Sequence, residues 1–266
     1  MHGITERFSV TFSAVPSTIQ SIERAAAILR LLSGRNRRLG VAQIAGELEL
    51  PKGTVHGILR TLAAVGFVEQ DEETGRYRLG AALLHMGSSY LDGNELRTRA
   101  LNWSDSLAAR SGESVRIGTL HETKVLVVHH VFRPDDSMQA LEVGALLPAH
   151  ATALGKVLLA ASRYVVGELD ELTRYTAATI TDRPALESAL DIVGERGWAA
   201  DVEELMGGVV SIAAPIQDRR GVTVGAIGVT GPVERLTSGG EPLNDHVAFV
   251  REAARAVSRD LGAIPW

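Results

Sequence analysis

Between residues 17 and 80, three apolar patterns of helical period follow one another through short connections and end in two short alternating runs around a glycine. No other feature constrains the fold as strongly, because a segment this short has only one small core to share among all five elements. Ser17-Thr18-Ile19-Gln20 has the form of a capping box, with a hydroxyl followed three residues later by Gln. Ile22, Ala25, Ala26, Leu29 and Leu32 then recur at helical spacing, Gly34 stops the helix, and Arg35, Arg37 and Arg38 form a basic loop. A second short helix is expected over 41–48, with Ile44, Ala45 and Leu48 inward. Leu50-Pro51 breaks the pattern, and Pro51 suits the first turn of a third helix whose core face is Val55, Ile58, Leu59 and Leu62. Gly66 ends that helix, and the runs 67–70 and 76–79 around Asp71-Glu72-Glu73-Thr74-Gly75 read as a hairpin.

Helix, helix, helix, hairpin is the order of a winged helix-turn-helix. The physics suits DNA: the third helix fits the major groove and brings its N-terminal side chains to base edges, while the hairpin lies along phosphates. The expected DNA contacts are Lys52, Thr54, His56 and Arg60, which fall largely off the apolar face, together with Arg76 and Arg78 of the wing. A small helical domain that uses its hairpin for protein contact fits the bare pattern as well. Residues 17–80 hold nine Lys/Arg against seven Asp/Glu, net +2, whereas residues 81–266 hold seventeen against twenty-four, net −7. A nucleic-acid module on an acidic partner domain has this asymmetry.

Ile19-Gln20-Ser21-Ile22-Glu23-Arg24-Ala25, Ile44-Ala45, Lys52-Gly53-Thr54-Val55-His56, Leu59, Thr61-Leu62, Gly66-Phe67-Val68, Gly75-Arg76-Tyr77 and Leu79-Gly80 together resemble the N-terminal domain of the IclR family of transcriptional regulators. The likeness continues without large gaps to the C-terminus. One departure is Gly57, where many members of the family carry a basic residue. Base contacts then fall to its neighbours, and a mid-helix glycine costs about 1 kcal/mol relative to alanine.

Behind the hairpin, Leu83, Leu84, Met86, Tyr90 and Leu91 mark a linker helix, and Leu96, Ala100, Trp103 and Leu107 a longer one over 95–110. Strands are expected at 114–120, 124–132, 198–202, 209–217 and 222–230, and helices after His150, over 184–197 and over 243–261. Antiparallel strands bracketed by helices make an α+β domain. The organisation is therefore a segment 1–16, a winged helix-turn-helix domain 17–80, a linker helix 81–93, and a domain 94–266 that the family resemblance identifies as a GAF-like effector-binding and oligomerisation domain.

Composition excludes several chemistries. The chain has no cysteine, so disulfides, thiol nucleophiles and thiolate-bound zinc are out. No apolar run approaches the roughly 20 residues of a membrane span and the start is unlike a signal peptide, so a cytoplasmic protein without membrane contact is expected. Ala153-Leu154-Gly155-Lys156 fails as a phosphate loop, since His150 replaces the leading glycine and Val157 the magnesium-binding hydroxyl. Gly221, Gly225, Gly228 and Gly231 have the wrong spacing for a dinucleotide fingerprint and serve close approach of a strand or of a ligand. His129 and His130 point to opposite faces of a strand, and with His121 they make no metal site. Asp201, Glu203 and Glu204 lack the nucleophile or cofactor signature that acid–base catalysis would need, so no catalytic residue, cofactor or metal is assigned. An enzyme or small-molecule-binding module with a helical N-terminal interaction domain is the rival reading.

The family resemblance implies an effector pocket formed by Leu147, Ala153, Leu154, Asp201, Ser211, Gly228 and Thr230. Ser211 and Thr230 offer hydroxyls and Asp201 a carboxylate, with Lys156 the one cation considered to point inward, so the expected pocket suits a polyol better than a dianion. Within the family, the stretches His129 to Ser137, His56 to Arg60 and Gly66 to Asp71 are similar to regulators of glycerol operons in actinobacteria. That similarity implies a repressor of glycerol utilisation which binds operator DNA as a homodimer or tetramer. Its effector would be glycerol, glycerol 3-phosphate or a small organic acid.

Overall fold

The computed structural model describes residues 19–34, 38–135, 138–169 and 171–263, which divide into two compact units, one up to Tyr90 and one from Leu91. The first unit contains α1 (Gln20–Leu32), α2 (Val41–Glu47), α3 (Lys52–Ala64), β1 (Val68–Gln70) and β2 (Tyr77–Leu79), and α4 (Ala81–Asp92) follows. Its single core joins Ile28 and Leu32 of α1, Ile44 of α2, Val55, Leu59 and Leu62 of α3, and Val68 and Tyr77 of the hairpin. These are the residues that the helical period set on one side, and burying them is what holds so small a unit together.

Local chemistry sets the boundaries. α3 ends because Gly66 adopts φ 75°, a left-handed conformation that costs glycine nothing. The Phe67 N–H then bonds the Leu62 carbonyl at 2.8 Å and the Gly66 N–H the Ala63 carbonyl at 3.0 Å, closing a Schellman motif. Leu39, just before α2, pairs with Tyr77 through two backbone bonds and adds a third edge to the wing. Two expected termini shift. Ile19, not a hydroxyl residue, stands at the α1 N-cap, so Gln20 is the first helical residue rather than the third. Pro51 is the α3 N-cap with extended ψ of 135°, outside the first turn. Ser17 and Thr18 of the expected capping box lie outside the described residues, as do Arg35, Arg37, Asp136 and Ser137.

The second unit runs α5 (Glu95–Ser111), β3 (Ser114–His121), β4 (Lys124–Val131), β5 (Leu146–Pro148), α6 (Ala153–Ala161), α7 (Tyr164–Glu168), α8 (Arg183–Arg196), β6 (Ala199–Val202), β7 (Val209–Gln217), β8 (Thr223–Pro232), α9 (Val233–Leu236), β9 (Thr237–Ser238), β10 (Glu241–Pro242) and α10 (Asn244–Asp260). Six strands form one antiparallel sheet in the order β5-β4-β3-β8-β7-β6. Both of its faces are covered. Ile117, Ile212, Ile227 and Val229 pack with Leu107 of α5 and Val250 and Val257 of α10. Val125, Ala213 and Ala226 pack with Leu154 and Val157 of α6 and Leu190 of α8. Neighbours such as Ile212 and Ala213 therefore serve opposite layers, as the strand period of two requires. The strand β5 and the short helix α7 carried no sequence expectation, because three and five residues are too few to display a period.

Candidate functional site

On the first unit, Lys52, His56 and Arg60 follow one another at intervals of four along α3, and all three are exposed. Thr54 is half-buried on the flank of that stripe. The four form a surface polar enough to meet DNA and free of the core, which Val55, Leu59 and Leu62 occupy. Between them Gly53 and Gly57 leave open space where side chains would stand. The backbone of the outer face is bare there, and no side chain intervenes between the basic stripe and an approaching surface. In the wing, Arg76 is exposed and makes no ion pair with a described residue, whereas Arg78 pairs with Glu69 directly opposite at 2.9 Å. The turn between them is ordered by Asp71, which accepts from the Thr74 N–H and hydroxyl at 2.8 Å each. Those two bonds, together with Arg38 nearby, hold the Asp71 carboxyl below its usual range. Glu72 and Glu73 at the tip are exposed, so the tip itself repels phosphate, and the wing's cations, Arg76 and Arg78, lie at its base.

The second unit holds a small cavity of about 20 Å³, room for roughly one water molecule, between the sheet and the N-terminus of α6. Leu147 of β5, Ala153 and Leu154 of α6, Ser211 of β7, and Gly228 and Thr230 of β8 all line it. The structure thus brings together six of the seven residues expected of an effector pocket from four separate elements. Thr152 caps α6, accepting from the Gly155 N–H at 3.2 Å while donating to the Pro148 carbonyl at 2.9 Å, which ties the helix end to β5. Gly228 has a defined role: a side chain there would meet the Ile212 carbonyl at 2.5 Å, so it is the neighbouring strand that needs the glycine.

Asp201 is not part of the cavity wall, although it stands opposite Ser211 in the sheet. It is 2% exposed, and its Oδ1 accepts the Glu204 N–H at 2.7 Å. Burial pushes its pKa up to about 6, a backbone bond from Glu204 opposing and the Glu204 carboxylate reinforcing the shift. The carboxyl shapes the turn after β6, in which Glu203 adopts the left-handed φ of 57°. That turn carries Glu204 to Lys156 and Leu205 to the cavity. The family resemblance places Asp201 on the pocket wall, and the cavity lining does not include it. Lys156 likewise does not serve the cavity: it is buried and paired with Glu204.

The cation that does reach the cavity is Arg116 of β3, which sequence reasoning missed. Its Nη1 donates to Thr230 Oγ1 at 3.1 Å, and Thr230 Oγ1 lies 3.0 Å from Ser211 Oγ. Its Nη2 donates to Glu142 Oε1 at 2.9 Å, and Nε approaches Glu142 Oε2 to 2.6 Å. Burial pulls the guanidinium pKa down, and the Glu142 carboxylate opposes this. Period-two alternation beside Val115 and Ile117 put Arg116 off the α5–α10 core, but nothing in the chain order said that the other face at this point is a cavity. The expectation of a pocket without an inward arginine, from which a polyol is preferred to a dianion, is therefore corrected in its premise: Arg116 is on the wall.

His129 and His130 divide as expected of adjacent strand residues. His129 is shifted down by burial and by Arg97 of α5. His130, also lowered mainly by burial, accepts the Glu142 N–H at its Nδ1 at 3.3 Å. Among the described residues no group of three or more metal-capable side chains converges, and no helix is long and apolar enough to cross a membrane.

Residues 88–259 match the family described as "Bacterial transcriptional regulator IclR C-terminal", and residues 21–72 match the "IclR helix-turn-helix domain". The chain is 60% identical over 247 residues to the "Glycerol operon regulatory protein" of Streptomyces coelicolor, covering 92% of this chain and 97% of that one. It is 58% identical to the protein of the same name from Streptomyces griseus, with the same coverage. Among solved structures, an IclR transcriptional regulator from Alicyclobacillus acidocaldarius superposes with a TM-score of 0.78 at 28% identity, covering 92% of this chain and all of that one.

Proposed function

Because this chain belongs to the IclR family of bacterial transcriptional regulators, we propose that it represses a glycerol-utilisation operon and leaves its operator when a metabolite of glycerol enters the cavity behind α6. The observation that carries this reading is the convergence of Leu147, Leu154, Ser211 and Thr230 on one small polar-and-apolar cavity in a chain 60% identical to a glycerol operon regulatory protein. DNA is bound through Lys52, Thr54, His56 and Arg60 of α3 and through Arg76 and Arg78 of the wing. A homodimer or tetramer meets half-sites spaced by about one helical turn or a multiple of it. The cavity is smaller than any organic effector, so binding requires its walls to move. That supplies the differential affinity through which a ligand shifts operator binding, typically by about 1–3 kcal/mol.

The direct test is a mobility-shift assay on the DNA upstream of the gene, with glycerol, glycerol 3-phosphate and small organic acids added in turn. Release by a glycerol metabolite is expected, and an operator complex indifferent to all of them overturns the reading. The division into 17–80, 81–93 and 94–266 is part of the same proposal. Residues 81–266 expressed alone are expected to fold, self-associate and bind effector without shifting operator DNA.

A further inference from the structure

We propose that Arg116 reads a negative charge on the effector, and that Glu142 occupies the guanidinium until an effector carboxylate or phosphate takes its place. This rests on the reading above that a small molecule enters this cavity.

Three observations lead there. First, Arg116 is the cation on the cavity wall, and its fork is already engaged: one edge holds Glu142, and Nη1 holds Thr230, which continues to Ser211. A carboxylate or phosphate entering beside Ser211 and Thr230 finds two hydroxyls and a guanidinium converging, the donor set such anions require. Second, the two partners differ in access. The Arg116 side chain is 17% exposed and that of Glu142 is 29% exposed, so Glu142 is the nearer of the two to solvent. Third, the contact is imperfect. Arg116 Nε and Glu142 Oε2 lie at 2.6 Å yet neither makes a properly aligned hydrogen bond, so this edge of the fork is bound by charge and is open to a better-placed acceptor.

Charge conservation decides which ligands profit. A neutral polyol that displaced Glu142 would take away the carboxylate that acts most strongly on the desolvated guanidinium and leave Asp201 as the remaining acid acting on it, which is unfavourable. An anion that displaces it keeps the charge balance around Arg116 unchanged and returns Glu142 to solvent. Glu142 is also tied through its N–H to His130, and it precedes Leu147, which walls the cavity. Exchange at Arg116 therefore loosens the side-chain anchor of the segment leading into β5, and the ligand's charge is converted into movement of the cavity wall.

The test uses the full chain and three probes on one three-carbon skeleton: glycerol, glycerate and glycerol 3-phosphate. Calorimetric titration of the unaltered protein is expected to show binding of at least one anion and weaker binding of glycerol. Which anion binds tells carboxylate from phosphate recognition. Arg116→Gln is expected to weaken the anion at least about tenfold and leave glycerol unaffected, while Arg116→Lys, which keeps the charge but loses the fork, falls between. Glu142→Gln, which removes the internal competitor, is expected to tighten the anion severalfold. Should Arg116→Gln fail to fold because Glu142 is stranded, the double variant Arg116→Gln/Glu142→Gln takes its place. Unchanged anion affinity without Arg116, no tightening in Glu142→Gln, preference for glycerol, or no binding of either anion overturns the proposal. Release of operator by glycerol alone would refute the role of Arg116 and leave the glycerol reading standing. Anion binding through Arg116 with no release of operator would do the reverse.

Discussion

Lys52, His56, Arg60 and Arg76 of the first unit stand in water with no ion pair to a described residue, whereas in the second unit Lys156 and Glu204 are buried and hold each other, Asp201 is buried and holds its own backbone, and the half-buried Arg116 holds Glu142 and Thr230. The same residue types do different work in the two places. Exposed cations interact through a high dielectric and are screened within about 10 Å at 0.1 M salt, so each contributes modestly and nearly independently. Buried charges are coupled, since removing one strands another at a cost of several kcal/mol. A surface built for DNA is thus tuned one contact at a time, while a ligand cavity switches when one partner is exchanged for another.

Lys156→Ala should break the comparison most severely. It leaves Glu204 buried without its cation and is expected to destabilise the protein by about 3–5 kcal/mol in urea unfolding, whereas Lys156→Met/Glu204→Gln recovers most of the loss. Arg60→Ala, measured alongside, should stay within roughly 0.5 kcal/mol of the unaltered chain. Equal effects of Lys156→Ala and Arg60→Ala would erase the distinction between the units.

Next in size is a pH dependence. The folded Asp201 carboxyl titrates near 6 because it is buried, against an ordinary value near 4. Between these values the folded chain keeps a proton that the unfolded chain releases, so stability falls as pH rises through this window and is level above it. Asp201→Asn keeps the acceptor for the Glu204 N–H but removes the titration. The difference between the two proteins should grow in favour of Asn by on the order of 3 kcal/mol from pH 4 to 7. Taking that difference separates Asp201 from Glu113, which shifts upward for the same reason, and from His129 and His130, which shift downward. Parallel pH profiles would show that Asp201 is already charged and solvated.

On the DNA side, Arg60→Ala and Lys52→Ala are expected to weaken operator binding by about 1–3 kcal/mol if they touch bases, or to lower the salt slope by about one if they touch phosphates. Binding unchanged in both affinity and salt slope near 150 mM salt would remove α3 from the interface. The smallest expected effect is that of Gly57→Ala. Nothing lies within 4 Å of the added carbon, so the helix should gain about 1 kcal/mol in thermal unfolding. If operator affinity drops at the same time, the bare backbone strip between Gly53 and Gly57 is part of the DNA surface.

Period and punctuation made most of the fold legible. Ile44, Val55, Leu59 and Leu62 announce the first core because a helix must bury one face, and Gly66 announces the α3 stop because a left-handed residue is needed there. In the second unit, the apolar runs expected as strands over 209–217 and 222–230, on either side of the Asp218-Arg219-Arg220-Gly221 turn, are two paired strands of the sheet. Leu147, Ser211 and Thr230 were placed in a common pocket by family resemblance, since 83 residues separate the first from the last and no local pattern links them.

What the sequence by itself determined is therefore the type of the longer elements and which of their faces is apolar, because those depend on neighbours three or four residues away in a helix and two away in a strand. What only the tertiary structure decided is how polar side chains pair. Arg116 meets Glu142 across 26 positions and Lys156 meets Glu204 across 48. Asp201 accepts the N–H groups of its own loop. Such partners are chosen by strand order and by which face of the sheet α6 covers, and no short-range period carries that information.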